Sequence, residues 1–263
     1  MLRIGKMKFD ELDDRMRIFE TAHDHCVLPG INIVARLDGR SFTRLTKEIH
    51  KFEAPFDIKF RDLMTETAVH LMNCGFKIVY GYTESDEISL LFHPEEDSFN
   101  RKLRKLNSLL AAEASAKFST LIKDIACFDC RISQLPIEQN VIDYFRWRSE
   151  DAWRNALNSH CYWQLRKTGK SAIDANNMLI GMSVAEKNEL LFQFGINFND
   201  IPNWQKRGIG LYWTKQEISG WNPIKKQEEK SIRNKLKTDY ELPMKEEYDN
   251  FISSFLNGDT KNG

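Results

Sequence analysis

Neither sign of charge prevails in this sequence. The 38 lysines and arginines face 38 aspartates and glutamates over 263 residues, so whole-chain charge neither recruits nor repels an anionic partner, and only local clusters can. Cysteine is sparse and odd in number, five residues at positions 26, 74, 127, 130 and 161, which argues against a disulfide framework. No apolar stretch near the start reads as a secretion signal, and no run reaches the ~18 residues that a bilayer span requires. Internal repeats and low-complexity tracts are missing too. At this length about 75% of the chain's surface can be buried, so stability needs no cross-links. The expectation is a protein folded nearly throughout, cytoplasmic, with reduced thiols and no membrane contact.

What is present is a regular alternation of periodicities. Phe9, Leu12, Met16 and Phe19 recur at helical spacing and predict an amphipathic helix packed on something later in the chain. Ile31 to Leu37 reads as a buried strand closed by Asp38-Gly39, and Asp57 to Cys74 as a helix capped by Gly75. Phe76 to Tyr82 and Glu87 to His93 read as the arms of a hairpin with the acidic turn Thr83-Glu84-Ser85-Asp86. A helix from about Asn100 to Ile122 and a strand from Ile125 to Leu135 complete the order βαββαβ. Beyond residue 136 the pattern becomes mainly helical: Ile137 to Lys167, a helix from Ser171, and one opened by the capping box Ser183 to Glu186. A strand at Gly208 to Lys215, a basic stretch after Pro223 and a last helix over Lys245 to Leu256 follow. The fold class is α+β, a ferredoxin-like antiparallel sheet, with residues 1–136 as the core and 137–263 as a helical region with a C-terminal extension.

Topology then does what spacing cannot. In the split βαβ arrangement the third strand lies between the first two and antiparallel to both. The end of strand 1 and the start of strand 3 share one sheet edge, which brings Asp38 to Asp86. Each alone is a common turn residue. Together they are two carboxylates that repel unless a cation sits between them, and oxygen ligands of this kind suit Mg²⁺. Gly39, lacking a side chain, lets backbone amides approach a triphosphate. Two such ions, about 3.5–4 Å apart, can orient a hydroxyl and neutralise charge on a phosphoryl group.

The sequences Arg36-Leu37-Asp38-Gly39-Arg40-Ser41-Phe42 and Tyr80-Gly81 with Ser85-Asp86-Glu87 resemble the tRNA-His guanylyltransferase family. The resemblance continues through Phe128-Asp129 with Arg131, Tyr144-Phe145-Arg146-Trp147-Arg148, Glu186 to Phe192, and Asn197-Phe198-Asn199. It implies a palm fold and a nucleotidyltransferase that adds nucleotides to the 5′ end of tRNA in the 3′-to-5′ direction, using ATP, GTP or other nucleoside triphosphates and two Mg²⁺ ions. It further implies that Asp38 and Asp86, with the Gly39 carbonyl, hold the metals, and that Glu87 supports them. Gly39, Arg40, Ser41, Phe42, Thr43 and Ser85 would contact the nucleotide, and the assembly would be a homotetramer. Where the eukaryotic branch carries His-Ile-Asn-Asn-Leu-Tyr-Asn, this chain reads Trp153 to Ser159 and keeps only Asn155 and Leu157. That departure points to the guanylyltransferase-like branch, which repairs 5′-truncated tRNAs, alongside tRNA-His.

Arg101, Lys102, Arg104 and Lys105 are expected to grip triphosphate or tRNA phosphates, as are Arg131, Lys187, Asn188 and Asn199 by resemblance. Lys225, Lys226, Lys230, Arg233, Lys235 and Lys237 form a second basic cluster. Aromatic residues between Tyr144 and Trp163, interleaved with Arg146, Arg148, Arg154 and Arg166, suit either helix packing or RNA stacking. Cys127 and Cys130 fall on opposite faces of a strand, so buried free thiols are expected rather than a zinc site. A catalytically silent tRNA-binding protein and a palm-fold nucleotide cyclase are the competing readings.

Overall fold

The computed structural model describes residues 8–222 and 227–256, with backbone alone at 218, 220, 222 and 227–229. Its frame is a six-stranded antiparallel sheet in the order β4-β1-β3-β2-β5-β6. The strands are β1 (Asn32–Arg40), β2 (Ile78–Glu84), β3 (Glu87–Phe92), β4 (Cys127–Leu135), β5 (Ile209–Asn222) and β6 (Gln227–Asp239). The helices are α1 (Phe9–Thr21), a short turn α2 (Phe42–Arg44), α3 (Ile58–Leu71), α4 (Leu103–Ile122), α5 (Glu138–Lys167), α6 (Ala172–Leu179), α7 (Val184–Gln193), α8 (Asn203–Arg207) and α9 (Lys245–Ser254). As the alternation of residues predicts, β3 lies between β1 and β2.

Period-two alternation gives the sheet two buried faces. Ile33, Ala35 and Leu37 of β1 join Ile88 and Leu90 of β3 beneath α3 and α4, where Leu71, Leu110 and Phe118 close the larger core. Val34 and Leu91 face the other way, with Tyr80, against Tyr144 and Phe145 of α5 and Ile252 of α9. A third cluster, built on Leu157, Cys161 and Leu165 with Leu179 and Leu191, ties α6 and α7 to the second half of α5. Asp57 caps α3 by accepting from the amides of Lys59 (2.6 Å) and Phe60 (3.2 Å), and Ser183 with Glu186 forms a complete capping box on α7.

Several expectations are revised. The first helix forms, but it packs on nothing else in the described chain: Phe9 is 76% and Phe19 72% exposed, and Leu12, Met16 and Ile18 are exposed as well. Periodicity reports a one-sided helix and is blind to whether the chain supplies a partner. β1 runs on through Asp38 and Gly39 to Arg40, because β4 pairs with it along that whole length. To the helical C-terminal half the structure adds a long hairpin. β5 extends to Asn222, and the basic stretch from Lys230 to Lys237 is part of β6, while Lys225 and Lys226 lie outside the described residues. β5 pairs with β2 over Ile209 to Tyr212 only, so beyond that it is held by β6. Cys127 is exposed rather than buried, whereas the half-buried Cys130 thiol is pushed up to about 12 by burial.

Candidate functional site

The register of the sheet assembles the acidic edge. Asp38 stands opposite Asp129 of β4 and opposite Glu87 of β3, and Glu87 stands opposite Glu84 of β2. Directly opposed residues share a face, so Asp129, Asp38, Glu87 and Glu84 form a row of four carboxylates across four strands. Asp86 follows in the turn beside it, where the Gly39 amide donates to the Asp86 carbonyl at 3.0 Å and Ser85 Oγ to Asp86 Oδ1 at 3.2 Å.

Such a row repels itself, and the structure answers with cations. One step down the same face lie Arg131 and Arg36, opposite each other. Arg131 reaches Asp129 at 3.2 Å and Asp38 at 3.9 Å, and Arg36 reaches Glu87 at 4.0 Å. From α5 the buried Arg148 comes within 2.9 Å of Glu87 and 3.0 Å of Asp151. Glu87 is thereby engaged by two guanidiniums and braces α5 against the sheet. The compensation is incomplete at the turn. Burial, with the charge of Glu87 adding to it, pushes the Glu84 carboxyl up to about 8. Asp86 is also raised, first by burial and then by the charge of Asp38.

These features fit a magnesium site. Asp38 and Asp86 are hard oxygen donors on one edge, and their mutual repulsion disfavours the ionised pair until a cation joins it. Among the described residues no cluster of three or more metal-ligating side chains occurs, so an all-protein cage is not on offer, and Mg²⁺ commonly takes one or two carboxylates and completes its shell with water and phosphate.

The loop after Asp38 is shaped by one ring. A Cβ at Gly39 would lie 2.5 Å from the Phe42 side chain, and that ring is buried against Phe118 and Phe128 at 5.0 and 4.9 Å between centroids. Ser41 takes a left-handed φ of 62° to turn the chain over it. Phe42 therefore anchors the loop, and its ring is not free to stack on a nucleotide. The exposed residues Arg40, Ser41 and Thr43 surround it.

Beside this edge opens a cleft of about 420 Å³, lined by Phe42, Thr43, Thr83 to Glu87, Phe52, Phe56, Asp57 and Arg61. Its far wall is Asn155, Asn158, Ser159 and Trp163 of α5 with Trp204 and Gln205 of α8. Its volume lies within the range of small-molecule sites. The sequence reading did not place this far wall. The one available signal was the altered segment Trp153 to Ser159, half of which turns out to line the cleft.

Other expected contacts lie elsewhere. The Arg101 guanidinium donates to the carbonyl of Ile31, and Lys102 and Arg104 both engage Asp24. Ile31 precedes Asp38 by seven strand positions, about 23 Å at 3.3 Å each. The cluster Arg101, Lys102, Arg104 and Lys105 thus starts α4 at the end of the sheet away from the carboxylates, because β3 runs away from Asp86 before α4 begins. A triphosphate grip shared with Asp38 in the same chain is corrected on that ground. Lys187 and Asn188 sit in α7, where the Asn188 amide donates to the Val184 carbonyl at 2.8 Å. The Asn199 carbonyl accepts from the buried Lys206 ammonium at 2.7 Å. None of the three lines the cleft. Of the aromatic set, Tyr144 is buried and Trp153 packs edge-on to Phe198, while Trp163 faces the cleft and Trp147 is 54% exposed.

Comparison with known proteins agrees over nearly the whole chain. The family model for Thg1, tRNAHis guanylyltransferase, matches residues 13–136, and that for the Thg1 C-terminal domain matches residues 139–252. The probable tRNA(His) guanylyltransferase of Mus musculus is 34% identical over 227 residues, 82% of this chain and 75% of the relative. Among solved structures, the bacterial tRNA(His) guanylyltransferase (Thg1)-like protein in complex with GTP superposes with a TM-score of 0.70 at 26% identity, covering 94% of this chain and 99% of that one. The same type of protein in complex with ATP gives a TM-score of 0.73 at 25% identity over the same shares.

Proposed function

The chain belongs to the tRNA(His) guanylyltransferase family and is a nucleotidyltransferase acting at the tRNA 5′ end, and from that premise we propose that it extends 5′-truncated tRNAs, as well as tRNA-His, by templated addition in the 3′-to-5′ direction. The observation that carries this reading is the meeting of Asp38 and Asp86 at one sheet edge, beside a cleft of nucleotide size. The two carboxylates and the Gly39 carbonyl would hold two Mg²⁺ ions, which supply charge neutralisation at a triphosphate and activation of an attacking oxygen.

The chain's own residues do the rest. Backbone amides of the loop beyond Gly39, from Arg40 to Thr43, fixed in place by the Phe42 ring, bind phosphate oxygens. Ser85 orients Asp86, and Glu87 between Arg36 and Arg148 keeps the row of acids in register. In the first step a 5′-phosphate oxygen of the tRNA bonds to the α-phosphorus of ATP, and pyrophosphate leaves. In the second the 3′-hydroxyl of the incoming nucleotide, losing its proton, bonds to the tRNA 5′-phosphorus and AMP leaves. Both ask mainly for positioning and electrostatics. The loss of five of seven positions in the Trp153 to Ser159 segment supports the wider tRNA range. The protein works in the cytoplasm as a homotetramer.

The test is 5′ extension with labelled nucleotides, ATP and Mg²⁺ on full-length tRNA-His, truncated tRNA-His and one unrelated truncated tRNA. Extension of both truncated RNAs supports repair, and addition to tRNA-His alone restricts the protein to maturation. Failure on every RNA with folded protein refutes the proposal, and a cyclic product from GTP alone would favour a cyclase instead.

A further inference from the structure

Resting on the reading of the cleft as the nucleotide site, we infer that the indole of Trp163 is the stacking platform for any nucleobase there. Lys47 is its exchangeable cover, which yields the ring to the base and turns to the phosphates. Thr43, Thr46 and Lys47 all line the cleft, and residues three and four apart share one face of a helical segment. That face runs from the loop beside Asp38 and Asp86 into the π-helical turn Leu45–Ile49, a wide backbone form frequent at functional sites. From there the Lys47 ammonium lies 5.6 Å from the centre of the Trp163 ring on α5.

The other aromatic rings of the cleft are engaged. Phe42 is buried against Phe118 and Phe128. Phe52 stacks on His50 and tilts against Phe60 at 5.4 Å, and Phe56 packs on His160 and meets Trp204 edge-on. Trp204 also lies under a cation, but that guanidinium, Arg61 at 4.9 Å, is shared with Tyr240 at 5.1 Å and held by Asp62 at 2.7 Å. Lys47 has no such anchor: among the described residues no carboxylate pairs with it. Besides Lys47, Trp163 has one ring neighbour among the described residues, Tyr162, nearly perpendicular at 5.3 Å.

At 5.6 Å the ammonium occupies the space that a stacked ring needs, so base and ammonium exclude each other. Stacking of a base on an aromatic side chain outweighs an exposed cation–π contact, which favours the exchange. Every base has a π face, so the platform takes adenine and guanine alike, as a cleft that serves both ATP and GTP requires. The displaced ammonium, on the same face as Thr43, then adds a charge-assisted contact to the phosphate chain.

Dissociation constants of ATP, GTP and inorganic tripolyphosphate, each with Mg²⁺, test this on the full chain. Tripolyphosphate carries the charge without a base. Trp163→Leu should weaken ATP and GTP by about tenfold each and change tripolyphosphate less than about twofold. Lys47→Ala should weaken all three by about threefold or more. Trp163→Phe keeps a packed ring and most of the affinity, while the quenching of tryptophan emission by ATP should lose most of its amplitude. If Trp163→Leu loses its cooperative melt, the quenching comparison with Trp163→Phe decides alone. Unchanged ATP and GTP constants in Trp163→Leu, equal weakening of tripolyphosphate there, or full quenching in Trp163→Phe overturns the platform. Unchanged tripolyphosphate binding in Lys47→Ala, or none in a wild type that binds ATP, overturns the exchange. Binding of no nucleotide by the folded wild type overturns the cleft reading and both inferences with it.

Discussion

The guanidinium of Arg148, on α5, lies 2.9 Å from the carboxylate of Glu87, the residue next to Asp86 on β3. Arg148 is 4% exposed, so its charge depends on the carboxylates around it, above all Glu87 and Asp151, which it contacts. The contact couples the helix that forms the far wall of the cleft to the strand that begins at the acidic turn. Removing one partner of a buried pair costs about 3–5 kcal/mol. Asp151 remains, and burial raises the Glu87 carboxyl above its usual range despite Arg148 and Arg36, which offsets part of that loss, so Glu87→Gln should cost well under this range, about 1 kcal/mol. Urea denaturation measures this directly, and nucleotide addition should fall as well because the turn loses its brace. Full stability in the variant would mean that the pair is not structural.

Gly39 and Phe42 make a second, steric prediction. Gly39→Ala puts a methyl group into the Phe42 ring, which the aromatic cluster beneath it prevents from moving away. Overpacking of this kind costs about 1–3 kcal/mol, and the displaced loop should lose most activity. Gly39→Ala combined with Phe42→Leu should recover part of the thermal midpoint relative to Gly39→Ala alone. No recovery would show that the ring is not the obstacle.

The proposed metal pair, Asp38 and Asp86, separates catalysis from folding. Asp86 has its pKa raised in the fold, by burial and by Asp38. A carboxyl whose folded pKa exceeds its unfolded one costs stability once ionised. Asp86→Asn should therefore melt at or above the wild-type temperature in a chelator at neutral pH, while nucleotide addition drops by several orders of magnitude. Mg²⁺ should raise the melting temperature of the wild type and leave Asp86→Asn and Asp38→Asn nearly unmoved. An equal shift in all three would remove these residues from the metal site.

A pH dependence follows from Asp24, which Arg104 and Lys102 hold well below the usual carboxylate range. A depressed carboxylate contributes stability in full above its unfolded pKa, about 3.9, and that contribution is lost as pH falls through the folded value. The difference in melting temperature between wild type and Asp24→Asn should be constant from pH 5 to 8 and shrink as pH falls below about 4. A difference that grew on acidification would reverse the assigned sign. The neighbouring backbone contacts, Val27 to Arg101 and Leu103 to His25, mark the start of α4 as the place where local protection should drop.

Much of the palm was legible because its signals are local. Strand alternation placed Ile33, Ala35 and Leu37 on one face and, by the same period, Arg36 and Asp38 on the other. Asp57 and Ser183 sat where helix caps belong, and both act as caps. The hairpin of β5 and β6 was harder, since its basic residues read equally well as a solvated stretch, and only pairing across the hairpin makes them strand. The basic run at Arg101 was misplaced for a related reason: helical spacing says which residues share a face, not to which end of the sheet the helix returns.

By itself the sequence determined that Asp38 and Asp86 stand near strand ends that topology joins, since backbone geometry fixes alternation, turn chemistry and the βαββαβ order residue by residue. Only the tertiary structure decided that Glu87 pairs with Arg148, that Phe42 fills the space a Gly39 side chain would need, that α5 and α8 close the cleft, and that the apolar side of α1 meets no neighbour among the described residues. Those are questions of which surfaces come into contact. Contact depends on packing between segments far apart in the chain, where burial, shape and charge are settled together rather than position by position.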